Sequence, residues 1–304
     1  MRCIVVGLGV QGEKRAICAG KDYVSSVDPV NPKADFKKIQ DVPLITYDAA
    51  LVCVPDNQKF HIIKYLIKNQ KHILIEKPLL TNNLNMIKNI EKMAKQMKVV
   101  CYTAYNHRFE PHYIRMKKLI TSGKLGKIYS CRMFYGNGTA RLVKNSKWRD
   151  KDQGVLTDLG SHLLDTTKFW WDDIGEKFKF YSKNCFENRS PDHVIIGSEE
   201  SSPRIELEMS LVMWRNHFTC DVLAEKGSAH ISSLCKWGPT TFVYRKRVLP
   251  SGKPIERKIT LKKKDPTWVL EYEYFKNICK KSQKTDLSRD YWILKVLQKI
   301  QRGK

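Results

Sequence analysis

No CxxC or CxxH pair occurs among the nine cysteines, so a zinc cluster of the usual spacing is not expected. Nine in 304 residues are also too few for a disulfide scaffold. No stretch resembles an apolar 20-mer, so no membrane helix is predicted, and there is neither an internal repeat nor a low-complexity linker. The opening MRCIVVGLG reaches a glycine turn by Gly7, which leaves no room for a signal peptide and points to the cytoplasm. Acidic residues are scarce, 31 against 55 basic, for a net charge of +24. That sum would suit nucleic acid. Only 15 of the 55 are arginine, however, and a lysine- and isoleucine-heavy chain reflects genome bias. No nucleic-acid or membrane partner is assigned. An anionic small substrate is the milder reading.

What is present is an alternation of patterns over the first third. CIVVGL (3–8), DYVSSVD (22–28), ALVCVP (50–55), HILIEKP (72–78) and KVVCYTAY (98–105) read as strands. GEKRAICAG (12–20), NQKFHIIKYLIKN (57–69) and NNLNMIKNIEKMAKQ (82–96) read as helices. Such alternation predicts an α/β unit, a Rossmann-type doubly wound parallel sheet. Residues 29–49 hold room for only one or two helical turns.

After about residue 120, strand-like segments follow one another: 127–137, 177–183, 203–214, 217–227, 240–249 and 256–263. Ile205, Leu207, Met209, Leu211 and Met213 alternate with Glu206, Glu208 and Ser210, the period of a half-buried antiparallel strand. We therefore expect an α+β domain with a large, mainly antiparallel open sheet. The expected domains are 1–115 for dinucleotide binding and 116–304 for substrate binding and oligomerisation. The C-terminal helical stretch, 267–301, is the candidate to pack back on the first.

Gly7-Leu8-Gly9-Val10-Gln11-Gly12 is GxGxxG, placed after a strand and opening a helix. Gly7 makes the turn, Gly9 lets backbone approach a pyrophosphate, and Gly12 lets helix and strand pack closely. The helix N-terminus offers N–H groups to phosphate. Asp28 ends the second strand, 21 residues after Gly7, where an acidic side chain accepts from ribose hydroxyls. It would repel a 2′-phosphate, so NAD(H) is preferred; Lys33 keeps NADP(H) open. The same fingerprint binds FAD, but the second domain is too sheet-dominated for a typical flavoprotein.

Several segments together resemble the glucose–fructose oxidoreductase / inositol dehydrogenase family: GLGVQG (7–12), VCVPDNQKFH (52–61), HILIEKPL (72–79), YNHRFEP (105–111) and WRDKDQGVLTDLGSHLLD (148–165). The resemblance implies an NAD(P)-dependent oxidoreductase of sugars, sugar derivatives or cyclitols. By motif, Lys77 of Glu76-Lys77-Pro78 matches the family's catalytic lysine, and Asp158 and His162 match its acid–histidine pair. Pro55 and His61 match the residues beside the nicotinamide half of the cofactor. Asn106 and Arg108 match the polar pair after the last Rossmann strand. Trp148-Arg149 matches a segment near cofactor and substrate. It also implies a homodimer or homotetramer that covers the open sheet face. The single Gly154 before the Asp158 helix, where the family often has two or three glycines, departs from the pattern.

The residues suit that chemistry. Lys77 lies at the carboxyl end of a strand, where open parallel sheets place ligands, and could donate to the reacting oxygen. Glu76 reads as orienting backbone and cofactor. Asp158 and His162 are spaced i, i+4 on a predicted helix, with Asp165 extending the same face. Histidine is suited to accept a hydroxyl proton near neutral pH. Asp165 and Arg149 are candidates to hold other substrate groups. No metal is expected, because hydride transfer needs only a base and the dinucleotide. His107 reads as peripheral, pointing away if its segment is extended. The alternative is a non-catalytic dinucleotide-binding regulatory protein, which would have no need of Lys77, Asp158 and His162.

Overall fold

The computed structural model describes residues 1–146, 149–198 and 202–303. The chain divides into two compact units, Met1–Asn106 with Thr267–Leu294, and His107–Pro266 with Lys295–Lys304.

The first unit begins β1 (Cys3–Val6), α1 (Val10–Ala19), β2 (Tyr23–Val27). Then follow β3 (Ala49–Val52), α2 (Asp56–Lys68), β4 (His72–Glu76), α3 (Leu84–Gln96) and β5 (Cys101–Ala104). All five strands are parallel, in the order β2-β1-β3-β4-β5. β1 and β3 are wholly apolar, and β4 and β5 nearly so, because both faces of a parallel sheet are covered. One face packs on α2 and α3 through Ile63, Leu66, Ile87 and Ile90. The other meets Tyr272 and Phe275 of the C-terminal segment. Between β2 and β3 the chain forms only two single 3₁₀ turns, Ile39–Asp41 and Leu44–Thr46, the trimmed crossover expected from its length.

The second unit carries α4 (Pro111–Thr121), β6 (Ile128–Gly136), α5 (Ala140–Lys144) and α6 (Ser161–Trp170). Seven more strands follow: β7 (Lys179–Asn184), β8 (His193–Ser198), β9 (Arg204–Ser210), β10 (His217–Ala224), β11 (Gly227–Ser232), β12 (Thr240–Lys246) and β13 (Ile255–Leu261). The eight strands run β13-β12-β11-β10-β6-β9-β8-β7, with one parallel pair, β6 and β9. The chain ends in α7 (Thr267–Lys280), which belongs to the first unit, and α8 (Ser288–Gln301).

The division falls after Asn106 rather than after residue 115, because a cut at 115 would split α4. The ring of Tyr113 lies 5.3 Å from both Trp170 and Phe218, so that helix is part of the second core. Two strands were not expected, β8 and β11. The Ile205/Leu207/Met209 face is fully buried within the single chain, so it is not the face left for a second subunit. The opposite face is polar: Arg132 pairs with Glu206 and Glu208, Asp221 with His230, and Arg245 with Glu256. Among the described residues no helix is long and apolar enough to cross a membrane.

Candidate active site

Gly7 has φ +92°, and a Cβ there would lie 2.6 Å from the carbonyl oxygen of Cys53. A Cβ on Gly12 would lie 2.0 Å from the Gly7 carbonyl oxygen, so the turn and α1 close on each other only without side chains. Gly9, by contrast, faces open space: nothing lies within 4 Å of the Cβ position. That open backbone at the N-terminus of α1 fits a dinucleotide pyrophosphate. Val10 and Gln11 are exposed beside it.

Asp28 is tied into the same turn. Its Oδ2 accepts the Leu8 N–H at 2.8 Å, and its Oδ1 accepts Val30 and Asn31 N–H at 2.9 and 2.8 Å. Asn31 Nδ2 returns a bond to the Leu8 carbonyl at 2.6 Å. Burial alone would raise the Asp28 pKa, but the three backbone donors outweigh it and hold the carboxyl below its ordinary value. The side chain is thus a fixed anion, half-buried, at the end of β2.

Pro55 opens α2 and is exposed, as is His61 six residues on. Glu76 ends β4 and is buried; its Oε1 accepts from Arg15 Nε at 2.6 Å. Arg15 in turn donates to Glu271 of α7 at 2.7 Å and lies 4.4 Å over the Trp268 ring. Burial would lower the Arg15 pKa, yet the two carboxylates hold it above its ordinary value. Lys77 follows at the carboxyl end of β4, half-buried, and the Lys77–Pro78 bond is cis. Asn106 turns inward and donates to Thr267 Oγ1 at 2.7 Å, which ties the end of β5 to the start of α7.

In the second unit the expected helix begins as a π-helical turn, Leu156–Gly160, before α6. His162 and Asp165 are buried, so the three ionisable residues do not form one solvated stripe. Each meets a different partner. Asp158, about one-third exposed, takes Arg149 Nη2 at 3.2 Å. Asp165 is 1% exposed, and both its oxygens accept from Arg108, with Nε at 3.1 and 2.9 Å. Asp165 therefore fixes α6 to the turn Asn106–Phe109.

His162 lies flat against His107, ring centroids 4.1 Å apart and planes inclined by 20°. His107 is not peripheral: its segment is a 3₁₀ turn, not extended, and the side chain is buried. Sequence spacing could not show this, since 55 residues separate the two. Trp148 lies outside the described residues. Among the described residues no group of three His, Cys, Asp or Glu is arranged to hold a metal ion. A cavity of about 450 Å³, lined by Arg141, Lys144, Asn145, Phe186 and Glu187, contains none of these residues.

Residues 1–105 match the family model described as an oxidoreductase family with an NAD-binding Rossmann fold, and residues 113–230 match the GFO/IDH/MocA C-terminal domain. The chain belongs to the GFO/IDH/MocA oxidoreductase family. Among curated members it is 28% identical over 140 residues to scyllo-inositol 2-dehydrogenase (NADP(+)) of Bacillus subtilis, 44% of this chain and 38% of that protein. It is 25% identical over 189 residues to scyllo-inositol 2-dehydrogenase (NAD(+)) of the same organism, 56% of this chain and 53% of that protein. The chain thus matches about a third to a half of the length of such relatives. In fold it is similar throughout to the UDP-N-acetylglucosamine 3-dehydrogenase of Acidithiobacillus ferrooxidans. That likeness has a TM-score of 0.82 at 18% identity and covers 100% of this chain and 97% of that one.

Proposed function

We propose that the protein is an NAD(H)-dependent oxidoreductase acting on a secondary alcohol or ketone of a sugar, cyclitol or nucleotide-linked sugar. The observation that carries this reading is that His162 is buried flat against the His107 ring, on a stretch of chain whose Asp158 and Asp165 each pair with an arginine. A dinucleotide sensor has no use for a histidine held in that way.

When bound, the dinucleotide supplies the hydride acceptor or donor. The Gly7–Gly12 turn holds its pyrophosphate, and Asp28 accepts from the ribose hydroxyls. Asp28 as a fixed anion favours NAD(H) over NADP(H), a choice on which the two Bacillus relatives differ by name. Pro55 and His61 border the nicotinamide half. His162 Nδ1 is turned into the protein, so Nε2 takes the hydroxyl proton. Lys77 donates a hydrogen bond to the reacting oxygen. Asp158 and Arg149 hold neighbouring hydroxyls or an anionic group. Asp165 acts through Arg108, holding the turn that carries His107, rather than gripping substrate itself.

None of the nine cysteines is joined in a disulfide, which suits a reducing compartment such as the cytoplasm. The polar outer face of the eight-stranded sheet is the surface for a homodimer or homotetramer; light scattering should give a multiple of 35.4 kDa. A monomer at working concentration would remove that part.

The test of the activity is kinetic. Lys77→Ala and His162→Ala should each lose about 10²–10⁴-fold in single-turnover hydride transfer. Both should keep dinucleotide binding, since neither side chain builds the glycine turn. Near-native rates in both would overturn the reading.

A further inference from the structure

His107 lies in the turn after β5, and only 1% of it is exposed; 7% of His162 is. Lys236 sits in the 3₁₀ turn Cys235–Trp237. Its Nζ is 2.9 Å from the Tyr135 hydroxyl and 3.4 Å from His107 Nε2. An ammonium offers donors only, so His107 Nε2 must accept. The His107 proton then sits on Nδ1 and the ring is neutral. The same ammonium lies over the Trp237 ring, 4.5 Å from its centroid, and 5.2 Å from that of Tyr135. Aromatic surroundings of this kind hold a cation in place.

We propose that His107 and Lys236 are positioning residues that limit the stacked histidine pair to one proton and reserve that proton for His162. Two imidazolium rings 4.1 Å apart repel. At the effective dielectric typical of partly buried pairs, the second proton is disfavoured roughly a thousandfold. A neutral ring stacked on an imidazolium carries no such penalty. Lys236 breaks the symmetry, because its charge sits in hydrogen-bond contact with His107.

The charged and aromatic groups described near the pair are these. Arg108 is matched by Asp165, and Arg149 by Asp158. The Tyr113 ring meets His107 edge-on at 6.0 Å, and Tyr135 lies 5.4 and 6.1 Å from the two imidazoles. Glu110, one turn along from His107, has both carboxyl oxygens on the Cys235 N–H, at 3.2 and 3.3 Å, and also faces Lys236 and Asp265, so the titration is read in Glu110→Gln as well. The arrangement gives His162 a neutral ring at its back and keeps it ready to accept a proton from substrate.

The proposal deepens the reading of His162 as proton acceptor and rests on it, but its first test needs no substrate. In ¹⁵N-histidine-labelled full-length protein titrated from pH 5 to 9, His162 should protonate in a single step. His107 should stay the neutral Nδ1–H tautomer throughout. Protonation of His107 first, or of both rings independently, would overturn the proposal.

In Lys236→Met the pair should gain its proton about one pH unit higher, a roughly tenfold rise in proton affinity, with His107 now sharing it. With a substrate, the acidic limb of kcat/KM should move by the same amount while KM barely changes. Lys236→Arg should restore the native titration. A limb and titration unmoved in Lys236→Met would also overturn the proposal. Loss of His162's catalytic role would be read instead from full turnover in His162→Ala, so the two failures are distinguishable.

Discussion

Arg15 Nε donates to Glu76 Oε1 at 2.6 Å, joining the helix behind the glycine turn to the residue that precedes Lys77. Arg15 is 1% exposed and also holds Glu271, which is fully buried, at 2.7 Å. The dinucleotide turn and the lysine strand are thus braced by one buried cation between two carboxylates.

Arg15→Met should destabilise the protein by about 3–5 kcal/mol, because two buried carboxylates lose their counter-charge. Adding Glu271→Leu should recover much of that loss, since the variant then buries one unpaired carboxylate fewer. Urea unfolding of the single and double variants checks both. An additive double variant would show that Arg15 and Glu271 do not depend on each other.

Calorimetric titration should show tighter binding of NAD(H) than of NADP(H). Asp28→Ala should weaken NAD(H) by roughly ten- to a hundredfold, through loss of the ribose acceptor and of the bonds from Leu8, Val30 and Asn31. Tighter NADP(H) binding by the native chain would shift attention to Lys33.

Asp150 is buried beside Arg149. Burial alone would raise its pKa, but the Ser190 N–H and hydroxyl, both at 2.8 Å, and Arg189 hold it down to about 2. The stabilisation is full above the unfolded carboxyl value near 4 and fades as pH falls towards 2. Asp150→Asn should cost about 1–3 kcal/mol at pH 7. In urea unfolding the gap to the native chain should close by about pH 2; a gap independent of pH would refute the assignment.

Glu110 behaves oppositely. Burial is the leading cause that pushes its carboxyl up to about 6, against the opposing bonds from Cys235. Ionising it in the folded state therefore costs stability as pH rises from about 4.5 through 6, and the cost is complete above that. Glu110→Gln keeps an acceptor for the Cys235 N–H and removes the charge. It should stabilise the protein by about 2 kcal/mol at pH 7 and by little at pH 4. Thermal unfolding at both values decides it.

Whatever depends on neighbours along the chain is legible without the fold. The five parallel strands follow from apolar runs stopped by Gly7, Pro55 and Pro78, the turn from GxGxxG, and its acidic partner Asp28 from the end of β2. The eight-stranded sheet was legible only where alternation is strong, as in Ile205/Leu207/Met209. β11 escaped because Gly227–Ser232 has only Ala229 and Ile231 as apolar positions; it is a strand because β10 and β12 satisfy its backbone on both sides. β8 is likewise enclosed, by β7 and β9. Tertiary structure alone decided who faces whom in the site. It turned Asn106 inward to Thr267, gave Asp165 to Arg108, and gave Asp158 to Arg149. It also laid His107 on His162. Buried polar groups must find partners wherever the chain brings them, and periodicity records which face is buried but not what lies against it.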